Sequence, residues 1–106
     1  MNGEVNRAYA YYKERTPDSI LLFRVKDMYE AYFADADKIG LLLSGTKFKF
    51  ETRPQTVSLQ SDQIFDCLAF LGDAGVSARL IECRNDDGEF DIPDVSRLKR
   101  EKEMDF

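Results

Sequence analysis

Met28 and Glu30 are the two side chains whose types and spacing most directly suggest a contact site. They stand two positions apart in a segment that is typical of a β-strand, and side chains with that spacing project from the same face of a strand. An apolar side chain can insert between the bases of a nucleic acid, and a carboxylate beside it can contact a base. The pair therefore predicts an apolar wedge with an acidic group next to it.

Basic residues near the middle of the chain could supply contacts to phosphate groups. A segment in which Lys47 and Lys49 alternate with Phe48 and Phe50 predicts a strand with one basic and one aromatic face. The same lysines could instead lie on a solvated edge strand and protect it against aggregation. The basic residues that a phosphate-contacting patch would use are Lys47, Lys49 and Arg53, together with Arg24 and Lys26.

The sequence contains no histidine, which removes histidine-based general bases, catalytic triads and histidine zinc sites from consideration. Four acids could hold Mg²⁺ in a nuclease site, but nothing in their spacing fixes their mutual geometry. These acids are Asp27, Glu30, Asp35 and Asp37. We therefore expect a protein that is not an enzyme and that carries no metal ion or cofactor.

Length and composition set the wider limits. The 106 residues predict one domain over 1–106, and the 43% of hydrophobic residues suffice for a core. The net charge of −5 argues against strong non-specific binding to nucleic acid, while a local basic patch stays compatible with it. Cys67 and Cys83 are expected as free thiols in a reducing compartment. No segment has the character of a signal sequence or a membrane span, so we expect a cytoplasmic protein without membrane contact.

Hydrophobic periodicity and turn residues predict ten elements along the chain. A first amphipathic helix ends before Pro17, because the residue before a proline is pushed out of the helical region. Together these elements predict an α+β fold with a single mixed β-sheet flanked by helices. The other predicted helices are 35–43, 61–74 and 95–104, the last within a charged C-terminal segment 93–106, and the predicted strands are 20–25, 28–33 (alternatively helical), 47–50, 56–59, 76–83 and 89–92.

The turn between the first two strands decides which side chains share a face. A two-residue turn at Lys26 and Asp27 would place Phe23 opposite Glu30, whereas a three-residue turn would exchange the faces. The sequence leaves this register open.

Helix ends and buried stripes give further expectations. Asp35 is expected as the N-cap of the second helix and Ser61 as the N-cap of the third. The third helix should end at Gly75, which suits the left-handed position just past a helix. Its predicted buried stripe consists of Ile64, Phe65, Leu68 and Leu71.

Over residues 9–83 the chain resembles the N-terminal mismatch-recognition domain of MutS-type DNA mismatch-repair proteins. The resemblance is most specific in its first half and is a pattern match over the third helix and the strand that follows. The residues that carry it are Tyr11-Tyr12, Pro17-Asp18-Ser19-Ile20-Leu21-Leu22-Phe23-Arg24, Asp27-Met28-Tyr29-Glu30 and Asp35-Ala36.

In that family a phenylalanine, any residue and a glutamate form the signature, and the resemblance places Met28 on the wedge and Glu30 on the base-contacting carboxylate. Methionine can act as an apolar wedge, but it lacks the flat ring that contributes about 1–3 kcal/mol of stacking per base. Two other positions depart from the family: Lys26 replaces the usual glycine of the turn, and Phe50 replaces the second residue of a basic pair.

The resemblance implies a small non-enzymatic DNA-binding module of DNA repair that binds double-stranded DNA weakly, with mismatched or distorted duplex as the preferred form. Its DNA contacts would be Met28, Glu30, Lys47, Lys49 and Arg53. The 106 residues contain no G-x-x-x-x-G-K-[ST] loop, so we expect a stand-alone domain that works beside a larger repair or mobile-element complex. The alternative is a protein-interaction module that kept the fold, lost DNA binding and uses an exposed patch around Met28 and Tyr32.

Overall fold

The computed structural model describes residues 3–95 of the chain. The predicted helix 95–104 lies outside these residues, apart from its first position. The elements within 3–95 are α1 (Gly3–Arg15), β1 (Ile20–Val25), β2 (Met28–Tyr32), α2 (Phe33–Leu43), β3 (Phe50–Arg53), β4 (Thr56–Gln60), a 3₁₀ turn (Ser61–Gln63), α3 (Ile64–Asp73) and β5 (Ala78–Ile81).

The strands of residues 3–95 form one sheet in the order β3-β4-β2-β1-β5. β1 and β5 run parallel, and the other neighbouring strands run antiparallel. The predicted α+β class with a single mixed sheet is therefore confirmed. β2 lies in the middle of this sheet, so it presents its side chains on both of the sheet's faces.

Each face of the sheet has its own apolar core. One face is covered by α2 and α3, whose Ile39, Leu43, Cys67 and Leu71 pack against β1, β2 and β4. The other face packs α1 and Val95 against β1, β5 and the end of β2. Among residues 3–95, no helix covers this second face over β3, β4 and the start of β2, where polar side chains alternate with the buried ones of the first face.

The β1–β2 turn contains two residues, and this settles the register that the sequence left open. Phe23 pairs with Glu30, and Val25 pairs with Met28. Lys26 has a φ angle of 57°, in the left-handed region that glycine occupies without strain. Glycine, which the resemblance leads one to expect at this position, would adopt this conformation without strain. Lys26 adopts it at some cost in conformational energy.

Asp35 is not the N-cap of α2, so that prediction was wrong. The helix begins at Phe33, and Asp35 lies in its first turn with only 4% of the residue exposed. Its carboxylate accepts a hydrogen bond from Lys13 Nζ at 2.8 Å and another from the Leu21 backbone N–H at 3.1 Å. Lys13 Nζ also donates to the Ser19 carbonyl at 2.7 Å. This buried carboxylate joins α1, β1 and α2 instead of capping one of them.

Other boundaries differ from the predictions in ways that packing explains. Phe65 is 78% exposed, because the buried side of α3 is set by Ile64, Cys67 and Leu71. Ser61 lies inside the 3₁₀ turn instead of capping α3. Gly75 does adopt the expected left-handed φ, at 76°.

The strands also start and stop differently from the predictions. The predicted strand 47–50 is shifted along the chain, because β3 begins at Phe50 and ends at Arg53, which pairs with Thr56 of β4. The predicted strand 76–83 contracts to β5. Its predicted return strand 89–92 contributes a single bridge between Arg84 and Phe90.

Candidate nucleic-acid interface

The uncovered part of the second sheet face brings together residues from β2, β3 and β4. Met28 pairs with Gln60 and Glu30 pairs with Ser58 across β2 and β4. On the other edge of β4, Ser58 pairs with Glu51 of β3. Arg53 lies two positions after Glu51 and therefore projects from the same face of β3. Because paired residues project from the same face, Met28, Glu30 and Arg53 share one surface.

Glu30 is held by three donors from its own protein. The Arg53 guanidinium donates to Oε2 at 2.6 Å, and the Ser58 hydroxyl donates to the same oxygen at 2.7 Å. The Tyr32 hydroxyl donates to Oε1 at 2.9 Å. The Glu30 side chain is 14% exposed. The carboxylate that the resemblance assigns to base contact is thus largely occupied inside the protein.

The contacts of Glu30, Arg53 and Tyr32 shift the pKa values of all three side chains. Burial by itself would raise the pKa of Glu30, but the hydrogen bonds from Ser58, Arg53 and Tyr32 outweigh it and lower that pKa below its usual value. The hydrogen bond to Glu30 raises the pKa of Arg53. Burial, followed by the nearby carboxylate, raises the pKa of Tyr32 well above its usual value. Near neutral pH the surface therefore carries an ionised Glu30–Arg53 pair.

Met28 is half-buried at the entrance of β2. It lines a shallow depression of about 230 Å³ together with Lys49, Ser58 and Gln60. Exposed Glu51 borders the same depression. The methionine therefore offers part of its thioether chain to a partner while the rest rests on the sheet.

Lys49 is fixed next to Met28 by a residue that the sequence did not single out. The Gln63 side-chain amide donates to the Lys49 carbonyl at 2.7 Å and accepts from the Lys49 backbone N–H at 2.8 Å. This pair replaces the ladder contacts that Lys49 would make inside a strand. Lys47 and Lys49 are exposed, and within residues 3–95 neither ammonium group has an ion-pair partner.

The acids of the alternative nuclease site are dispersed. Within residues 3–95, no group of three or more acidic, cysteine or histidine side chains is arranged to hold a metal ion. Asp35 forms an ion pair with Lys13, and Glu30 forms an ion pair with Arg53.

Tyr32 does not belong to an exposed patch. It is buried in the core under α1, with its ring 5.5 Å from that of Phe23. The predicted patch around Met28 and Tyr32 is therefore wrong, because only Met28 reaches the surface.

Ser58 and Gln63 are the site residues that the sequence reasoning missed, and Tyr32 was assigned to an exposed patch and not to the Glu30 network. One signal for Ser58 was present: Thr56, Ser58 and Gln60 alternate with Val57 and Leu59, which indicates a strand with one polar face. That signal says nothing about which carboxylate the serine would meet, because Ser58 and Glu30 lie 28 positions apart.

A family model of MutS domain I matches residues 4–64. The chain belongs to the MutS domain I family. The match starts earlier than the resemblance read from the sequence and ends before β5, so the segment 65–106 lies beyond it. It contains all five predicted contact residues.

MutS domain I is a DNA-recognition module and not a catalytic domain, and it contacts DNA. No curated protein matches the chain. No helix in the part of the chain that the structure describes is long and apolar enough to cross a membrane.

Proposed function

We propose that this protein is a non-enzymatic module that binds double-stranded DNA in mismatch repair. The observation that carries the proposal is the face of β2, β4 and β3 that no helix within residues 3–95 covers, where half-buried Met28 lies beside exposed Lys49. An apolar side chain next to a cation suits a base step next to a phosphate. Family membership supports DNA as the partner.

The contact residues divide into two groups by their surroundings. Met28, Lys47 and Lys49 offer side chains that a partner can reach without breaking a protein contact. Glu30 and Arg53 are joined to each other, so a base that bonds to Glu30 must compete with three protein donors. Arg53 remains half-exposed and can approach a phosphate while it stays bound to Glu30.

This division predicts how strongly and how selectively the module binds. A wedge without an aromatic ring loses stacking of about 1–3 kcal/mol per base, and a carboxylate beside DNA repels phosphates. The net charge of −5 adds a general repulsion. We therefore expect weak binding that falls with salt and a small preference for mismatched duplex.

The test is a fluorescence-anisotropy titration of a labelled matched duplex and of the same duplex with one G·T mismatch, at 50 and 200 mM salt. Wild-type protein should bind both duplexes at low salt and lose most of the binding at high salt. Lys49→Gln should weaken binding to both duplexes by a similar factor, because a phosphate contact does not read sequence.

The matched control is Lys38→Gln, which removes the same charge from an exposed position of α2, on the other face of the sheet. If Lys38→Gln and Lys49→Gln weaken binding equally, net charge and not this face governs the interaction. Absence of binding to either duplex at 50 mM salt would overturn the proposal.

A second function, a protein-interaction module, is favoured by two exposed apolar side chains on the helical side. Leu41 on α2 is 79% exposed and Phe65 on α3 is 78% exposed. A partner protein that covered this side of the molecule would remove both side chains from water. Failure of the DNA titration would make this the better account.

A further inference from the structure

The loop that follows β5 lies against the β1–β2 turn, beyond the part of the chain that matches the family. The Lys26 backbone N–H donates to the Phe90 carbonyl at 3.0 Å. The loop closes on itself through the bridge between Arg84 and Phe90 and through the Asn85 N–H, which donates to the Glu89 carbonyl at 2.8 Å. The loop is therefore attached to the turn that leads into Met28.

Phe90 holds two guanidinium groups in place. The Cζ atoms of Arg24 and Arg84 lie 4.0 and 3.9 Å from the centroid of its ring. Stacking on an aromatic ring fixes the plane of a guanidinium and leaves its N–H groups directed outwards. One N–H group of Arg84 donates to the Gly88 carbonyl at 2.6 Å, and its other N–H groups can donate to a ligand.

The basic residues around this loop differ in whether an acid lies near them. The Arg24 Nη1 atom lies 3.8 Å from Glu82 Oε1, so these two charges form an ion pair. Arg84 and Lys26 are both exposed, and within residues 3–95 neither has an ion-pair partner. They line a depression of about 410 Å³ whose rim also carries Asp27 and Glu89. The depression thus contains two cations whose donors are available, together with two acids that disfavour a densely charged anion.

We propose that Arg84 and Lys26 bind a phosphodiester group of the DNA backbone. This inference rests on the proposed function and extends it to a segment outside the family match. A phosphodiester carries one negative charge and presents two oxygens, which suits the fork of a guanidinium next to an ammonium group.

The position of the site within the sheet supports this assignment. Lys26 lies in the two-residue turn between β1 and β2 and precedes Met28 by two positions. Its backbone N–H donates to the carbonyl of Phe90, on whose ring Arg84 stacks. Arg84 and Lys26 therefore lie at the end of the sheet at which β2 begins. A duplex that contacts Met28 at this end of the sheet would bring its sugar–phosphate backbone close to both basic groups.

The experiment measures the salt dependence of duplex binding by the full chain carrying Arg84→Gln. Loss of one phosphate contact should reduce the slope of log K against log salt by about 0.9 and weaken binding about three- to tenfold at 50 mM salt. Lys38→Gln is the control for net charge. Arg84→Lys keeps the charge but loses the fork, so we expect an intermediate loss of affinity.

The outcomes separate this site from the proposed function. If wild-type protein binds duplex and Arg84→Gln has the affinity and salt slope of Lys38→Gln, the phosphate site is wrong and the DNA-binding function stands. If wild-type protein binds no duplex, the function and the site both fall. Thermal unfolding of each variant, followed by circular dichroism, checks that a loss of binding does not reflect a loss of folded protein.

Discussion

Glu30 should matter more for the stability of this protein than an exposed strand glutamate does. Glu30→Ala removes the acceptor for Ser58, Tyr32 and Arg53 at once. A hydrogen bond to a charged group contributes about 1.5–3 kcal/mol when it is buried, as the Ser58 and Tyr32 hydroxyls are. The half-exposed Arg53 adds no more than about 1 kcal/mol, because solvent screens it.

Since such contributions do not add fully, we expect a loss of about 3 kcal/mol in the free energy of unfolding. That is a large share of the roughly 5–15 kcal/mol by which domains are stable, so the melting temperature should fall by at least about 10 °C. Urea denaturation followed by circular dichroism measures the loss directly. Glu51→Ala is the matched control, because Glu51 is exposed on β3 and pairs with the same Ser58 on the same face of the sheet.

The pH dependence gives this prediction a second readout. The pKa of Glu30 is lower in the folded protein than its ordinary value of 4.5, so its stabilisation is fully present above about pH 5 and is lost as pH falls through the folded pKa. The stability difference between wild type and Glu30→Gln should therefore shrink as the pH falls below about 4.5. A loss below 1 kcal/mol for Glu30→Ala, equal to that of Glu51→Ala and independent of pH, would refute the network.

Three further predictions test the turn, the buried carboxylate and the wedge. Lys26→Gly should raise the free energy of unfolding by about 0.5–1 kcal/mol in a urea titration, because glycine tolerates the left-handed φ. The control is Lys47→Gly, which should not raise the free energy of unfolding, because Lys47 has no positive φ. Asp35→Asn should lower the free energy of unfolding by about 2–4 kcal/mol, because Lys13 loses its charged partner. The control is Asp37→Asn at an exposed position, which should change the free energy of unfolding by less than about 0.5 kcal/mol. Met28→Phe should tighten binding to G·T duplex more than to matched duplex in the anisotropy titration, and an equal change for both would show that this side chain does not meet the base step.

The first half of the fold could be predicted because its signals are local. Apolar residues mark 20–25, the two-residue turn follows directly, and β2 starts where the turn ends. The pairing of Phe23 with Glu30 then depends only on the length of that turn. Such information lies within about ten positions of the chain, so no long-range packing had to be known.

The candidate site depended on contacts between distant parts of the chain. Arg53 and Ser58 reach Glu30 from 23 and 28 positions away, because β4 pairs with β2. Asp35 is a residue type that often caps a helix, but in the fold its buried carboxylate bonds to Lys13 of α1 instead. Phe65 fitted an apolar stripe at helical spacing, and only the packing of α3 shows which side of the helix faces the sheet.

The central claim, that duplex DNA binds to the uncovered face of β2, β4 and β3, is tested most directly by NMR. Backbone amide shifts of ¹⁵N-labelled protein are followed while unlabelled duplex is added at 50 mM salt. The account predicts that the largest shifts occur at Met28, Lys49 and Gln60 and at the turn before β2. Shifts confined to the α2–α3 side around Phe65, or no shifts at saturating duplex, would contradict it.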